Sequence, residues 1–286
     1  MILTFMSQNL QFAGLSDGEG NTENRWPALL NRIKSVQPQP DFLLLEETWD
    51  WDKYGHKHLV SARDELKMDT LPLPPASSGN GTGLLYRSST VGQWQKWNTN
   101  YAEQTMHGFG VAAFDVGLPS LLSIVTTHLN PFASDLALGE IGLITTRAYR
   151  YGPFAIIGGD LNYPPSRGPE PDYTAQLPYN TAARTLLTDP AKREPLTPDR
   201  RIGWKLEQAG FVDVAYYMYQ KTKDEKLLER TAAEDRIDQF WVSKPLADGI
   251  INYWVVGKPE KASDHKGIVF QLDTDKVETS DNWVYV

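Results

Sequence analysis

The chain has 286 residues, of which 41% are hydrophobic and 22% charged, and this composition excludes collagen-like, disordered and coiled-coil proteins. The absence of cysteine excludes disulfides, thiolate metal sites and a cysteine nucleophile. The formal net charge of -8 argues against a general polyanion-binding surface, although it is compatible with a local basic cleft.

The N-terminus and the apolar runs bear on location. No apolar run approaches the ~20 residues that a membrane helix needs, so membrane insertion is not expected. The first six residues lack a basic region and a long apolar stretch, and they are typical of a strand rather than a signal peptide. A cytoplasmic location is the default expectation, and the sequence specifies no oligomeric state.

The apolar pattern predicts the secondary structure in chain order. Short runs rich in Val, Ile, Leu and Phe predict strands over 3–7, 42–45, 83–87, 110–116, 121–127, 154–157, 237–242, 250–256 and 267–272. Apolar residues at helical spacing predict helices over 26–36, 136–148 and 202–209. Strands with interspersed helices predict an α/β fold with the sheets in the centre and the helices outside.

We interpret residues 1–286 as one domain with a proline-rich insertion at about 163–205. Residues 163–198 hold eight prolines, and a short helix is expected within this insertion, near 181–187. The polar residues from about 274 predict a short C-terminal tail or a strand at a sheet edge.

Polar residues stand beside the ends of several predicted strands, where ligand sites collect in sheet proteins. Each group alone is explained by turn chemistry, solvation or a local ion pair. Their joint occurrence in one order is harder to explain in that way. The groups are Asn9, Glu46-Glu47, His128-Leu129-Asn130, Gly158-Gly159-Asp160-Leu161-Asn162, Arg236-Ile237-Asp238 and Ser263-Asp264-His265.

This ordered set resembles the motifs of the endonuclease/exonuclease/phosphatase superfamily, which has the DNase I-like fold, and the resemblance spans residues 3–272. It implies a single catalytic domain, a four-layer α/β/β/α sandwich of two packed mixed sheets. It also implies hydrolysis of phosphodiesters or phosphomonoesters with Mg²⁺ or Mn²⁺. Two positions depart from the family pattern. Glu46 stands where many members carry Gln, and Gln11 stands where some DNA-repair members carry a second acidic ligand.

The resemblance assigns a metal site to Glu47, with Asn9 and Asp264 completing or orienting it. Mg²⁺ is a hard cation that prefers oxygen ligands and keeps several waters, so one or two carboxylates suffice. The metal would neutralise phosphate charge and stabilise the leaving oxygen.

The remaining motif residues are predicted to act on water and phosphate. Asp160 orients and deprotonates the water, while Asn162 donates to the phosphate or holds the water. His265 and His128 donate to phosphate oxygens, and Asp238 fixes the tautomer of His265 and keeps it cationic.

Other polar residues leave alternatives open. Arg236 either contacts the substrate or pairs with a local carboxylate, and the three remaining histidines, His56, His58 and His107, are expected to be structural or exposed. Residues 184–205 carry six basic and three acidic side chains, which form either a contact for a polyanion or a solvated face. Five aromatic residues either stack on bases or belong to the core and surface, namely Trp94, Trp97, Tyr101, Tyr163 and Tyr173.

The substrate is therefore predicted only as a phosphoester. A nuclease acting on DNA or RNA and a phosphoesterase for a smaller phosphorylated molecule are the two catalytic hypotheses, and the acidic net charge favours the second. A third hypothesis is an inactive module that binds a partner through the same cleft. The presence of every residue that the chemistry requires argues against this module.

Overall fold

The computed structural model describes residues 1–19, 21–174, 176–192, 194–233, 235–257 and 262–284, and these ranges form twelve strands and seven α-helices. The strands are β1 (Ile2–Asn9), β2 (Phe42–Glu46), β3 (Asp69–Thr70), β4 (Thr82–Tyr86), β5 (Lys96–Asn98), β6 (Phe109–Phe114), β7 (Leu122–His128), β8 (Ala155–Asp160), β9 (Phe211–Asp213), β10 (Asp238–Ser243), β11 (Ile250–Val256) and β12 (Gly267–Asp273). The helices are α1 (Trp26–Ser35), α2 (Lys57–Leu66), α3 (Ser88–Val91), α4 (Ser134–Ala148), α5 (Pro178–Arg184), α6 (Arg201–Gln208) and α7 (Val214–Thr222).

The strands form two mixed sheets of six strands each. The first sheet has the order β11-β12-β1-β2-β4-β3, and the second has the order β5-β6-β7-β8-β10-β9. Within them β1 and β2 are parallel, as are β7 and β8, while the other pairs are antiparallel. The nine predicted strands are confirmed. The short strands β3, β5 and β9 were not predicted because they contain only two or three residues each.

Alternating side chains explain why the sheets are covered on both faces. In β2, Phe42 and Leu44 point into the layer between the sheets, whereas Leu43 and Leu45 point outward to α1 and α2. In the second sheet, the side chain of Ile156 enters the same central layer and that of its neighbour Ile157 packs under α4 and α6. Burying a side chain of this size contributes roughly 1.5–3 kcal/mol. The predicted four-layer α/β/β/α sandwich is confirmed.

The proline-rich insertion contains one helix in the region where a helix was predicted. That helix, α5 (Pro178–Arg184), begins with Pro178, whose fixed φ and missing N–H suit a first helical position. In the described part of the C-terminal tail, residues 277–284, no strand forms, and the Trp283 ring packs 5.9 Å from that of Tyr149. Among the helices of the described ranges, none combines the length and apolarity needed to cross a membrane.

Two glycines let strand β8 approach its neighbours closely. A Cβ on Gly158 would lie 2.4 Å from the Phe240 ring. A Cβ on Gly159, whose φ is +141°, would lie 1.9 Å from the Thr127 carbonyl oxygen. The Gly158-Gly159 pair therefore permits the packing that brings the next residue, Asp160, beside the first sheet.

Candidate active site

The predicted site residues lie at one edge of the two packed sheets because of the strand register. Asn9 pairs with Glu46 at the carboxyl ends of the parallel strands β1 and β2. His128 pairs with Asp160 at the carboxyl ends of β7 and β8, and the antiparallel strand β10 places Asp238 opposite Asp160. Residues far apart in sequence thus meet where the strands end.

Asn9 connects the two sheets through its side-chain amide. Its Nδ2 donates to Glu47 Oε1 and to Asp160 Oδ2, each at 3.1 Å. Its Oδ1 accepts a hydrogen bond from the backbone N–H of Gln11 at 2.9 Å. The second oxygen of Glu47 accepts from the backbone N–H of Phe12 at 2.7 Å. These bonds fix the side chains of Asn9 and Glu47 before any ligand binds.

Left-handed backbone conformations concentrate around this edge. Glu47 has φ +60° and Asn162 has φ +61°, and residues 11–13 have three positive φ values in succession. Such conformations cost non-glycine residues roughly 1–3 kcal/mol each and persist where the surrounding structure enforces them. Glu47 and the loop that holds it are both strained, which points to a functional constraint at this loop.

His265 and Asp238 form a closely bonded pair. His265 Nδ1 lies 3.1 Å and 2.9 Å from the two carboxylate oxygens of Asp238, and His265 Nε2 lies 3.8 Å from Asp160 Oδ2. Burial by itself would lower the pKa of His265, but the negative charges of Asp238 and Asp160 outweigh it and raise the pKa well above its ordinary value. His265 is therefore an imidazolium at neutral pH, with Nε2 directed toward Asp160.

His128 lies on the other side of Asp160 and differs in charge. Its Nε2 is 3.5 Å from Asp160 Oδ2, yet burial lowers the pKa of His128 below its ordinary value. The His107 ring stacks on it with centroids 4.0 Å apart. The Nδ1 of His107 contacts the Asn80 carbonyl oxygen at 2.8 Å, and burial lowers the pKa of His107 to about 3. Both rings are neutral.

His107 was expected to be structural or exposed. It is buried, and it lines the cleft beside His128. It lies there because β6 runs antiparallel to β7, with Phe109 opposite Thr127, so a residue preceding β6 reaches the edge where β7 ends. An apolar run followed by a second one with a histidine at each outer end is the sequence signal for this contact.

Asp160 remains ionised between these groups. Burial raises its pKa, but the positive charge of His265 and the backbone N–H of Asn162 reverse the effect and bring the pKa below its ordinary value. That N–H donates to Asp160 Oδ1 at 2.9 Å. The Asn162 side chain donates to the Leu129 carbonyl at 2.9 Å, so one amide hydrogen remains for a ligand.

Glu46 lies beneath the site and was assigned no role from the sequence. It is fully buried, and its two carboxyl oxygens lie 3.0 Å and 3.1 Å from the Ser7 hydroxyl. Burial, followed by the charge of Asp238, raises the pKa of Glu46 well above its ordinary value. Glu46 is thus a neutral acid, which limits the negative charge that accumulates below Asp160.

Of the two roles predicted for Arg236, the structure supports the ion pair and not the contact with substrate. Its guanidinium is buried and bonded to both carboxylate oxygens of Asp213, at 3.1 Å and 2.5 Å. Asp213 ends β9, which pairs with β10 beside Arg236. Arg236 thus pairs with a carboxylate. Removal of one partner from such a buried pair lowers the free energy of unfolding by about 3–5 kcal/mol.

Three of the basic side chains of residues 184–205 form ion pairs with carboxylates. Arg184 pairs with Asp235 at 3.1 Å, and Arg201 pairs with Asp199 and Asp135. Arg200 pairs with Glu170 and donates to the carbonyls of Pro165 and Pro169. Arg193 lies outside the described residues. Three of the six positive charges in this segment are therefore engaged by carboxylates, and of these carboxylates Asp135, Glu170 and Asp235 lie outside it.

A cleft of about 760 Å³ lies over the site. Its floor is the polar part of its lining, which includes Glu47, His128, Asp160, Asp264 and His265, and its mouth is apolar. The five aromatic residues considered for stacking do not line it: Tyr163 and Tyr173 are buried, and Trp94, Trp97 and Tyr101 lie elsewhere. The apolar mouth is formed by Phe12, Trp49, Met106, Pro131, Phe132, Leu177 and Tyr179.

A divalent cation fits the residues Asn9, Glu47 and Asp264, whose side chains all offer oxygen. Burial raises the pKa of Asp264, and the negative charge of Glu47 raises it further. A cation bound by these two carboxylates would relieve their repulsion. Asp160, Asp238 and His265 also bring ligand atoms within 4.8 Å of one another. In that trio, however, both oxygens of Asp238 face a cationic ring, which already supplies the compensating charge.

Residues 6–265 match the model of the Endonuclease/Exonuclease/phosphatase family, and the chain belongs to that family. Members are metal-dependent hydrolases of phosphoester bonds, and this chain is an enzyme of that class. Among curated proteins, none matches the sequence.

Solved structures show the same fold at low sequence identity. Humanized D. rerio TDP2 is 17% identical, with a TM-score of 0.60 over 96% of this chain and 99% of its own. The 3' phosphatase NExo from Neisseria, bound to a product DNA hairpin, is 14% identical, with a TM-score of 0.63 over 95% and 99%. The endonuclease domain of the retrotransposon TRAS1 is 15% identical, with a TM-score of 0.57 over 96% and 100%.

Proposed function

We propose that the protein is a Mg²⁺-dependent phosphoesterase that hydrolyses phosphodiester or phosphomonoester bonds by attack of water. The observation that carries the proposal is the convergence of three units on Asp160: the amide of Asn9, the neutral His128 and the Asp238–His265 ion pair. A carboxylate flanked by donors in this way can hold both a water and a phosphate oxygen.

Asp160 acts as the base. Because its pKa is lowered, its carboxylate is available at neutral pH to orient the water and accept its proton. The bond from the backbone of Asn162 to Oδ1 fixes the orientation of the carboxylate. The free amide hydrogen of Asn162 donates to the water or to the phosphate.

The two histidines stabilise the phosphate oxygens. His265 donates a charge-assisted hydrogen bond from Nε2, and Asp238 holds the opposite nitrogen, Nδ1. His128 donates as a neutral ring. Negative charge grows on the phosphoryl oxygens in the transition state, so donors fixed in advance around them lower its energy more than that of the ground state.

Asn9, Glu47 and Asp264 would hold Mg²⁺, with Mn²⁺ as an alternative ion. The ion would neutralise phosphate charge and stabilise the leaving oxygen. Asn9 and Glu47 are already fixed by hydrogen bonds, so the site requires little rearrangement.

The test measures hydrolysis of bis-p-nitrophenyl phosphate, p-nitrophenyl phosphate and plasmid DNA with Mg²⁺, with Mn²⁺ and with EDTA. EDTA should abolish turnover and added metal should restore it. Glu47→Gln should lose at least ~10-fold in metal affinity, measured by Mn²⁺ titration, on the scale of altered metal sites. Asp52→Asn, an exposed carboxylate in the loop that follows Glu47, is the matched control. Full activity after removal of metal would refute the proposal.

A second candidate function is cleavage of nucleic acid. D. rerio TDP2, at 16% identity and a TM-score of 0.60, is described in complex with a single strand DNA product, and NExo is bound to a DNA hairpin. The plasmid assay detects endonuclease action, and a labelled oligonucleotide detects action from an end.

A further inference from the structure

The mouth of the cleft exposes large apolar side chains that no other part of the described chain covers. Trp49 is 44% exposed, Phe132 is 72% exposed, Leu177 is 57% exposed and Tyr179 is 66% exposed. They come from separate segments: the loop after β2, the loop after β7, and the start of the insertion helix α5. Single exposed apolar residues are common, but several around one polar floor mark a binding surface.

The rim is held in place from beneath. The backbone N–H groups of Phe132 and Ala133 donate to Asn130 Oδ1, at 2.9 Å and 3.1 Å, which fixes the loop that presents the Phe132 ring. Arg184 at the end of α5 bonds to Asp235 and lies 3.5 Å from Asn162 Oδ1. The insertion therefore places Leu177 and Tyr179 over the floor by means of a buried ion pair.

The charges around the cleft argue against a substrate that is held through many of its phosphates. Among the described residues that line the cleft, Arg184 is the one Lys or Arg side chain, and its charge is engaged by Asp235. Nucleic acids, duplex or single-stranded, are bound largely through several Lys and Arg contacts along the backbone, so a substrate of this cleft has to gain affinity from groups other than its phosphates. The lining instead combines Glu47, Asp160 and Asp264 with planar side chains.

We propose that this cleft binds a phosphoester flanked by unpaired nucleotides, with the bases stacked on Trp49, Phe132 and Tyr179. The proposal rests on the proposed phosphoesterase activity and specifies its substrate. The floor binds one phosphate, and the rim binds the groups on either side of it. Aromatic side chains stack on unpaired bases whatever their identity, whereas bases in a duplex keep their faces within the stack. The volume of about 760 Å³ lies in the range of clefts that enclose ligands of a few rings.

The test compares kcat/KM with Mg²⁺ on three substrates. They are a single-stranded hexanucleotide, the same strand within a blunt duplex, and a base-free hexamer of equal charge. The single strand should be hydrolysed at least ~10-fold more efficiently than the other two, on the scale of lost stacking. Equal rates on the single strand and the base-free hexamer would overturn the proposal, as would equal rates on the duplex.

Variants of the rim assign the effect to particular side chains. Trp49→Ala and Tyr179→Ala should each lower kcat/KM on the single strand by about 5- to 100-fold, mainly through KM, and should lower kcat/KM on the base-free hexamer by a smaller factor. Tyr179→Phe keeps the ring and should retain most of the activity. Trp204→Ala is the matched control, because Trp204 is 49% exposed on α6 and does not line the cleft.

Two outcomes separate this inference from the proposed function. Metal-dependent hydrolysis of p-nitrophenyl phosphate without any preference for the single strand would reject the stacking rim and leave the phosphoesterase standing. Loss of turnover on a short-chain phospholipid in Trp49→Ala, with the hexanucleotide unaffected, would assign the rim to apolar chains and overturn the proposal.

Discussion

The two sides of the cleft place a histidine against the same carboxylate and give it opposite charge. On the side of β10 and β12, His265 lies between Asp238 and Asp160 and is cationic. On the side of β6 and β7, His128 is as deeply buried, faces Asp160 at 3.5 Å and the neutral His107, and is repelled by the positive charge of His265. Burial disfavours the charged form in both, and a second carboxylate decides the outcome. Residue type and depth therefore do not specify protonation.

Removal of Asp160 tests what both sides share and should have the largest effect. Asp160→Asn keeps the shape and removes the base and the negative charge. We expect kcat to fall by roughly 10²- to 10⁴-fold, on the scale of lost general-base catalysis. Steady-state kinetics on p-nitrophenyl phosphate measure this, with circular dichroism as the check on folding. A variant with wild-type turnover would remove Asp160 from the mechanism.

Removal of each histidine compares the charged side with the neutral one. His265→Ala should lower kcat by at least ~10²-fold, because a charge-assisted donor to the transition state is lost. His128→Ala removes a neutral donor and should cost about 2- to 10-fold. Thermal melting of both variants separates catalytic from structural loss. Equal costs in two folded variants would contradict the difference in charge between the two sides.

The pH profile tests the cause of that difference. In the wild type His265 is protonated below its raised pKa and loses its charge as the pH rises through that value. Asp238→Asn removes one negative charge, so the pKa of His265 should fall and the alkaline limb of kcat/KM should move to lower pH. NMR titration of the ring identifies the group. An unchanged alkaline limb in an active variant would show that Asp238 does not control the charge of His265.

His107 should have the smallest effect. His107→Phe keeps a ring against His128 but removes the hydrogen bond to the Asn80 carbonyl. Because His107 acts on the site only through His128, kcat should fall by no more than about 2-fold, less than the ~1 kcal/mol of a whole neutral hydrogen bond. Since the pKa of His107 is about 3, it carries no charge at working pH, and the pH profile above pH 5 should keep its shape. A shifted acid limb would mean that His107 is charged in the active enzyme.

The sequence indicates the floor of the cleft better than its surroundings. Asn9, Glu47, Asp160 and Asp238 stand beside apolar runs, and parallel or antiparallel pairing of those runs brings them to one edge. Their roles in catalysis stay predictions. The protonation state of each group could not be predicted from the sequence, because burial and partners distant in the chain determine it.

Long-range partners decide between the alternatives that the sequence left open. Arg236 pairs with Asp213, which lies 23 residues away in the sequence, and Arg184 pairs with Asp235 across 51 residues. A local count of positive charge therefore left a basic surface at 184–205 open, where the fold engages three of the six basic side chains in ion pairs. Likewise, the exposure of Trp49 and Tyr179 depends on the positions of the loops in the fold. Composition alone does not distinguish an aromatic residue of the core from one of the surface.

The ion pair between Arg184 and Asp235 also bears on how such an enzyme changes in evolution. This ion pair attaches the end of α5 beside the floor of the cleft. The rest of the mouth comes from loops outside the sheets. A segment that keeps an arginine at this position can be lengthened or exchanged while the register of β7, β8 and β10 preserves the reacting groups. Grafting the insertion of a relative onto this scaffold would therefore change the mouth of the cleft and leave the reacting groups in place.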